Sequence, residues 1–347
     1  MEKREEIKTL GDVLDYKVEE DRLLHSATHQ EILSGKTTDV YFIRTMEILR
    51  HLGLQDRVVT AEIFPRKSGI IAGIQETINI LMNKKIKIWS IDEGESFEAM
   101  DTVIRIEGPY SEFGAFETVV LGILASTSGW ATAAYECRQA CGDKPFVCFG
   151  SRHVHPSVAP VMERAALIGG ADNASCILGA KLMGKEPVGT VPHAAFIVAG
   201  DTLKVAKVYD QISPDEHGRI ILVDTFKDEV EETLRVAHHL KERLGGVRLD
   251  TPSERGGVTP ALIREVRAKL DQEGFDWVKI FVSGGLNPER IRMLSQAGAD
   301  AFGVGSYISS ASPIDMTMDI KQVEGKAIAK RGRIPGLINN DKLKRVK

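Results

Sequence analysis

Along the chain, apolar and polar positions change texture once. From Phe146 onward, short apolar runs alternate with amphipathic stretches. Phe146–Phe149 precedes a helical pattern after Pro156, Gly170–Asn173 precedes one reaching Gly184, and Val188–Val191 follows. Ile220–Val223 comes before a helix over 228–244, Gly246–Leu249 before 259–273, and Trp277–Val282 before 288–297, with Ala301–Val304 last. Short continuous apolar runs fit strands buried on both faces, and parallel strands need a crossover helix between them. The pattern predicts about seven such strands. Residues 1–111 differ: short helical and strand patterns, including Val58–Phe64 and Val103–Ile106, occur without regular alternation, which predicts an α+β domain.

Between these regions, 111–141 reads as helix, ended by Gly142-Asp143-Lys144-Pro145. Its uncharged part, Thr118–Tyr135, is interrupted by hydroxyl residues and glycines, so it predicts a buried helix rather than a membrane span. Met316–Ile320 and Ala327–Lys330 read as strands that return to the first domain. The predicted organisation is an N-terminal α+β domain over 1–111, an irregular (β/α) barrel over 112–315, and a returning segment over 316–347. A doubly wound sheet fits the alternation too. The barrel is preferred because the last two strands both end in glycines, Ser283-Gly284-Gly285 and Gly303-Val304-Gly305-Ser306. Barrels that bind phosphorylated ligands use the loops after their last strands, where bare backbone N–H groups meet phosphate.

Composition narrows the function. With 347 residues, 43% of them hydrophobic and 27% charged, the chain buries a substantial core. Forty-five Lys and Arg stand against 49 Asp and Glu, a net −4, so no basic excess addresses nucleic acid or an anionic membrane. Cys137, Cys141, Cys148 and Cys176 lack paired CxxC spacing and read as reduced thiols rather than a zinc site. The charged start Met1-Glu2-Lys3-Arg4-Glu5-Glu6 has no apolar run of the kind a signal peptide needs, which predicts a cytoplasmic protein.

Polar residues collect just beyond the predicted strands: Arg152, His153 and His155; Asp172 and Asn173; His193; Asp224; Arg248 and Asp250; Ser283, Gly284 and Gly285; Gly303, Gly305 and Ser306. On a barrel these meet at one rim. Arginines suit phosphate or carboxylate, the carboxylates suit Mg²⁺, and the glycine loops suit a second phosphate, so an anionic ligand with two phosphate groups is expected. Plainer roles exist for some: His155 at a helix start, Asp228 and Glu229 as first-turn acids, and Arg248 paired with Asp250.

In order and spacing, a series of motifs resembles the type II phosphoribosyltransferases, and within them the short nicotinate phosphoribosyltransferases. They are Thr38-Asp39-Val40-Tyr41, Ile63–Gly73, Ile106–Pro109, Phe149-Gly150-Ser151-Arg152, Gly170-Ala171-Asp172, Gly189–His193, Leu222–Thr225, Val247–Thr251, Phe281–Gly285, Phe302–Gly305 and Ala329–Arg333. The resemblance implies transfer of ribosyl 5-phosphate from phosphoribosyl pyrophosphate to nicotinate, giving nicotinate mononucleotide and pyrophosphate for NAD synthesis. It further implies that Ser283, Gly284, Gly285, Gly303, Gly305 and Ser306 hold the 5-phosphate, and that Arg248, Asp250 and Asp224 address ribose and Mg²⁺-pyrophosphate, with Asp250 and Asp224 on the metal. Phe149 and Arg152 would take the pyridine ring and its carboxylate, Asp172 would orient the ring, and Tyr41 of a second subunit would close the ring's other face in a homodimer or larger homo-oligomer. His193 matches a histidine that relatives phosphorylate from ATP, the expected co-substrate. The chain ends at Lys347 without the cysteine-containing zinc module of some relatives, so no structural zinc is expected. A nicotinamide- or quinolinate-using relative is the alternative enzyme, and a non-catalytic phosphoribosyl pyrophosphate sensor the alternative of another class.

Overall fold

The computed structural model describes residues 6–213 and 218–347; most of the charged start, 1–5, lies outside the described residues. The chain divides into two compact units, one formed by Met1–Thr132 with Ser312–Lys347 and the other by Ala133–Ala311. The division falls inside the helix Glu117–Cys141, later than the break after 111 that the pattern suggested. No described helix is long and apolar enough to cross a membrane.

In the first unit, six strands form an antiparallel sheet in the order Lys326–Ala327, Met316–Val323, Val58–Pro65, Ile104–Pro109, Lys87–Ser90 and Lys344–Arg345. The returning segment thus supplies strands at both edges. Ile63 stands opposite Met318 on one side and Ile104 on the other. One face is apolar, with Ile63, Ile88, Ile104 and Ile106 fully buried. The other buries charge: Glu62, at 0% exposure, accepts from Arg105 Nε at 2.9 Å and from the Ile338 N–H at 3.2 Å. Asp319 meets Lys330 Nζ at 2.6 Å and Arg333 Nε at 3.0 Å, and Lys321 donates to the Ile334 carbonyl at 2.7 Å. The strand expected over Ala327–Lys330 stops at Ala327 because the chain then turns to make these contacts, with Gly332 and Gly336 at positive φ.

The second unit is built on a parallel sheet of six strands among the described residues, ordered Asn173–Ala174, Phe146–Cys148, Ala301–Val304, Lys279–Val282, Leu244–Leu249 and Arg219–Leu222. The last strand, Ala301–Val304, pairs with the first, Phe146–Cys148, which is how a barrel closes on itself and not how a doubly wound sheet is ordered. The curled sheet remains unpaired between Asn173–Ala174 and Arg219–Leu222. The expected seventh strand, Val188–Val191, is a loop whose backbone meets the sheet where the Val188 N–H donates to the Ala174 carbonyl at 3.0 Å. Gly189 and Pro192, which has no N–H to donate, bracket a segment too short to sustain a ladder. Crossover helices begin at side-chain caps on Asp228, Thr259 and Asn287, the last two followed by proline.

Glu117, in the first turn of its helix, has its carboxyl pushed up to about 7, first by burial and then by the nearby Asp319 carboxylate, against the pull of Lys330. A carboxyl that holds its proton more tightly when folded stabilises the fold below its unfolded value, about 4.3, and that contribution is lost as pH rises through about 7. Denaturation midpoints of the wild type are therefore expected to fall between pH 5 and 7.5 more than those of Glu117→Gln. Parallel pH profiles for the two would contradict the raised carboxyl.

Candidate active site

In the second unit, the strand ends bring one cluster together around Asp224. Its side chain is 1% exposed and both oxygens are engaged: Oδ1 lies 3.0 Å from His193 Nε2, and Oδ2 accepts the Asp250 backbone N–H at 2.7 Å. Burial raises its carboxyl above the usual range, opposed by that N–H and by His193. Asp224 follows the Arg219–Leu222 strand and Asp250 the Leu244–Leu249 strand, so this one carboxylate ties neighbouring strand ends and fixes the His193 ring. The second ring nitrogen, Nδ1, is 3.9 Å from Asp250 Oδ2.

Arg248 is one residue from the end of its strand, where period-two alternation puts its side chain on the same side as Asp250. Its guanidinium donates through Nε to Ser283 Oγ at 3.1 Å and through Nη2 to Asp250 Oδ2 at 3.2 Å, while Nη1 reaches Thr190 Oγ1. Ser283 Oγ donates onward to Asp250 Oδ1 at 2.9 Å. A planar fork held at three points presents its charge in a fixed orientation. It also stands 5.9 Å from the Phe149 ring centroid, and Phe149 lies 6.0 Å from the Phe281 ring.

The glycines divide by role. Gly284 and Gly285 have φ of +90° and +58°, and a Cβ on Gly284 would lie 2.9 Å from Asp250 Oδ1, so backbone shape and space both require glycine. Neither donates its N–H within the described residues, which leaves donors at the head of the helix Pro288–Ala297. Gly305 and Ser306 open the short turn Ser306–Ser309. Gly303 has another purpose: it lies inside its strand, and a Cβ there would come within 2.5 Å of the Phe149 ring.

The structure does not bring every expected residue here. Asp172 lies at the opposite edge of the sheet: its backbone N–H donates to the Phe146 carbonyl at 3.0 Å, its Oδ2 accepts the Phe146 N–H at 2.8 Å, and it pairs with Arg138. Phe146 begins its strand and Phe149 follows it, so Asp172 is about 10 Å from the rim along the strand direction. The apolar pattern predicts a strand over Gly170–Asn173 with Asp172 and Asn173 at its end, whereas the strand is Asn173–Ala174 and Asp172 precedes it. His155 Nδ1 is 2.6 Å from Ser157 Oγ before the helix Ala159–Ile168, a local turn contact. Arg152 is exposed on the turn Ser151–His153, with no ion pair among the described residues. Tyr41 belongs to the other unit, 54% exposed in the first turn of Val40–His51. Thr190, not singled out as a site residue, joins the cluster; its position inside Gly189–His193 was the signal.

Asp224 and Asp250 do not fit a direct Mg²⁺ pair. Asp224 is sealed with both oxygens used, and Asp250 faces Arg248. Among the described residues, no group of three or more His, Cys, Asp or Glu side chains is arranged to hold a metal.

The barrel-like parallel sheet thus gathers glycine loops, a fixed arginine and a histidine–aspartate pair at its strand ends, backbone donors and a cation of the kind that phosphate groups take up. The chain belongs to the quinolinate phosphoribosyl transferase family: the N-terminal domain model matches residues 39–128 and the C-terminal domain model residues 130–319. Among solved structures it is similar to nicotinate-nucleotide pyrophosphorylase from Pyrococcus furiosus, with 44% identity, a TM-score of 0.87, and coverage of 91% of this chain and 82% of that one. Among curated proteins it is 29% identical to a nicotinate phosphoribosyltransferase of Mycobacterium tuberculosis over 69% of this chain, spanning 54% of that protein's length. It is also 25% identical to a probable carboxylating nicotinate-nucleotide pyrophosphorylase of Methanothermobacter thermautotrophicus over 76% of this chain and 88% of that one.

If Asp172 only holds the sheet edge, Asp172→Ala will lower stability by about 1–2 kcal/mol, the loss of one half-exposed charge-assisted bond and a backbone tie. Ligand affinity should stay within about twofold, as expected for a residue some 10 Å from the rim. Chemical denaturation and calorimetric titration of phosphoribosyl pyrophosphate check this, and a tenfold loss of affinity at unchanged stability would return Asp172 to the site.

Proposed function

We propose that the chain makes nicotinate mononucleotide, joining the ribosyl 5-phosphate of phosphoribosyl pyrophosphate to a pyridine carboxylate in NAD biosynthesis. The observation that carries this reading is the fixed Arg248 fork beside the free N–H groups of Gly284 and Gly285: one cation and one backbone cradle on adjacent strand ends, for a ligand with phosphate at two positions. The pyridine nitrogen attacks C1 of the ribose while the C1–O bond to pyrophosphate breaks, the bonding pair leaving with pyrophosphate. The ring nitrogen already carries a lone pair, so the step needs position and charge stabilisation rather than a strong base. Asp250 and Ser283 orient Arg248, and Phe149 offers an aromatic face beside it.

Two acceptors yield this product. Quinolinate, which loses its second carboxyl as CO₂, is supported by both family models and by the carboxylating relatives, at least as strongly as nicotinate. Nicotinate is supported by the phosphoribosyltransferase relatives and by Arg152, an exposed guanidinium that bonds His153 at 3.4 Å, has no carboxylate partner among the described residues and suits one carboxylate. ATP coupling belongs to the same proposal: Asp224 fixes the His193 tautomer with its proton on Nε2, leaving the Nδ1 lone pair to take the terminal phosphoryl group as ADP departs.

Purified protein given phosphoribosyl pyrophosphate with quinolinate, nicotinate or nicotinamide should form nicotinate mononucleotide from at least one of the acids and nothing from the uncharged amide. CO₂ release identifies quinolinate. With ATP, the apparent KM for phosphoribosyl pyrophosphate should fall in wild type and not in His193→Ala. No product from either acid overturns the reading, and an unchanged KM overturns ATP coupling alone.

The proposal includes an acceptor site shared between copies, with Tyr41 supplied by a second chain to the Arg248 site of the first. Inactive Tyr41→Ala and Arg248→Ala chains, mixed and allowed to exchange, should then regain about a quarter of wild-type activity, the statistical share of intact sites when one site in two per mixed dimer is whole. No recovery after confirmed exchange rejects sharing.

A further inference from the structure

One charged residue beneath the rim remains unexplained by packing. Glu163, on the helix Ala159–Ile168, is 0% exposed and has no cation among its described partners. Its carboxylate instead takes four hydrogen bonds from two loops. Oε1 accepts from the Ser151 N–H at 3.3 Å, from Ser151 Oγ at 2.7 Å and from Ser175 Oγ at 3.1 Å, and Oε2 accepts the Cys176 N–H at 2.6 Å. Ser151 begins the turn that carries Arg152, after the Phe146–Cys148 strand, and Ser175 and Cys176 follow the neighbouring Asn173–Ala174 strand. The same helix braces the turn through Met162, whose Cε would lie 2.6 Å from a Cβ on Gly150. An isolated carboxylate taken fully out of water is costly, and a cluster of donors from two loops both offsets that cost and fixes the loops to each other.

We propose that Glu163 is a positioning residue: it sets the Ser151–His153 turn so that Arg152 meets the acceptor's carboxylate. This rests on the functional reading above, in which Arg152 binds that carboxylate. Glu163 touches no substrate and acts through the turn. A glutamine has the same shape but turns one acceptor into a donor, which must face either the Cys176 N–H or the Ser151 pair. The turn then loses an anchor while the Arg248 cluster, which shares no partner with Glu163, keeps its own.

The test is a double-mutant cycle on the pyridine acid that the wild type uses, with Glu163→Gln, Arg152→Ala and both together. Glu163→Gln should raise the acceptor KM about tenfold while kcat and the KM for phosphoribosyl pyrophosphate stay within about twofold, the pattern of lost uniform binding. In the Arg152→Ala background the second substitution should add less than about twofold, because the residue it acts through is gone. Ser175→Ala, which removes one of the four bonds, should give a smaller rise in the same constant and serves if Glu163→Gln does not fold. Equal losses for both substrates, or full additivity in the cycle, overturn the inference while leaving the function standing. A wild type that transfers to neither acid overturns the functional reading first, and this inference with it.

Discussion

The site depends on one carboxylate that water does not reach. Asp224 spends both oxygens on protein, one on His193 and one on the Asp250 backbone, and that choice fixes the rest of the cluster. With Asp250 held through its main chain, its side chain is free to receive Arg248 and Ser283; with those in place, Thr190 closes the remaining guanidinium edge. Burial makes Asp224 costly as an anion, and the N–H and imidazole directed at it are what keep that cost bearable. Such a residue serves better as a keystone than as a metal ligand. A metal would have to displace partners that hold two strand ends and the His193 ring in place.

The fold was legible where one physical cause dominated. Apolar runs such as Ile220–Val223 and Gly246–Leu249 announced parallel strands because strands buried on both faces have few places for polar residues. The preference for a barrel rested on glycine loops, and the structure supplies an independent reason in the pairing of Ala301–Val304 with Phe146–Cys148. What the pattern could not give was register at strand ends. Asn173–Ala174 is two residues long, and its start at Asn173 rather than Gly170 moves Asp172 from the end of the strand to the position before it. Val188–Val191 is apolar enough for a strand, and only the flanking Gly189 and Pro192 betray the loop. Of the rim residues, Arg248, Asp250, Asp224, His193 and Ser283 come together as the spacing suggested. Glu163 was invisible because a glutamate inside a helical pattern looks like any solvated face until its neighbours are known.

Buried charge is met in two ways, by cations and by backbone donors. In the antiparallel unit the polar face of the sheet is covered by a tail that brings its own counter-charges, Lys330 and Arg333 to Asp319, while backbone N–H and carbonyl groups of Ile338 and Ile334 answer Glu62 and Lys321. Those pairs lie between a sheet and its covering tail and are partly wet at their cationic ends, where Lys330 is 61% exposed. In the parallel unit Asp210 is likewise met by Arg219 Nε at 2.8 Å and Glu232 by Arg235 Nη1 at 2.9 Å, whereas Glu163 and Asp224, beside the strand ends, are met by backbone N–H groups, small hydroxyls and the His193 ring.

That contrast bears on what the proposed transfer needs. An ion pair with a long flexible cation fixes distance poorly, because lysine and arginine side chains have many rotamers to lose. A carboxylate bonded to main-chain N–H groups is positioned by the backbone itself, and it positions the backbone in return. If departure of pyrophosphate is eased mainly by groups already in place, small shifts at the rim weigh heavily, since a misplacement of about 1 Å costs on the order of a hundredfold in rate. The two acids bonded to backbone at these strand ends spend desolvation energy on placement: Asp224 sets the Arg248 and His193 side, and Glu163 sets the turn that carries Arg152.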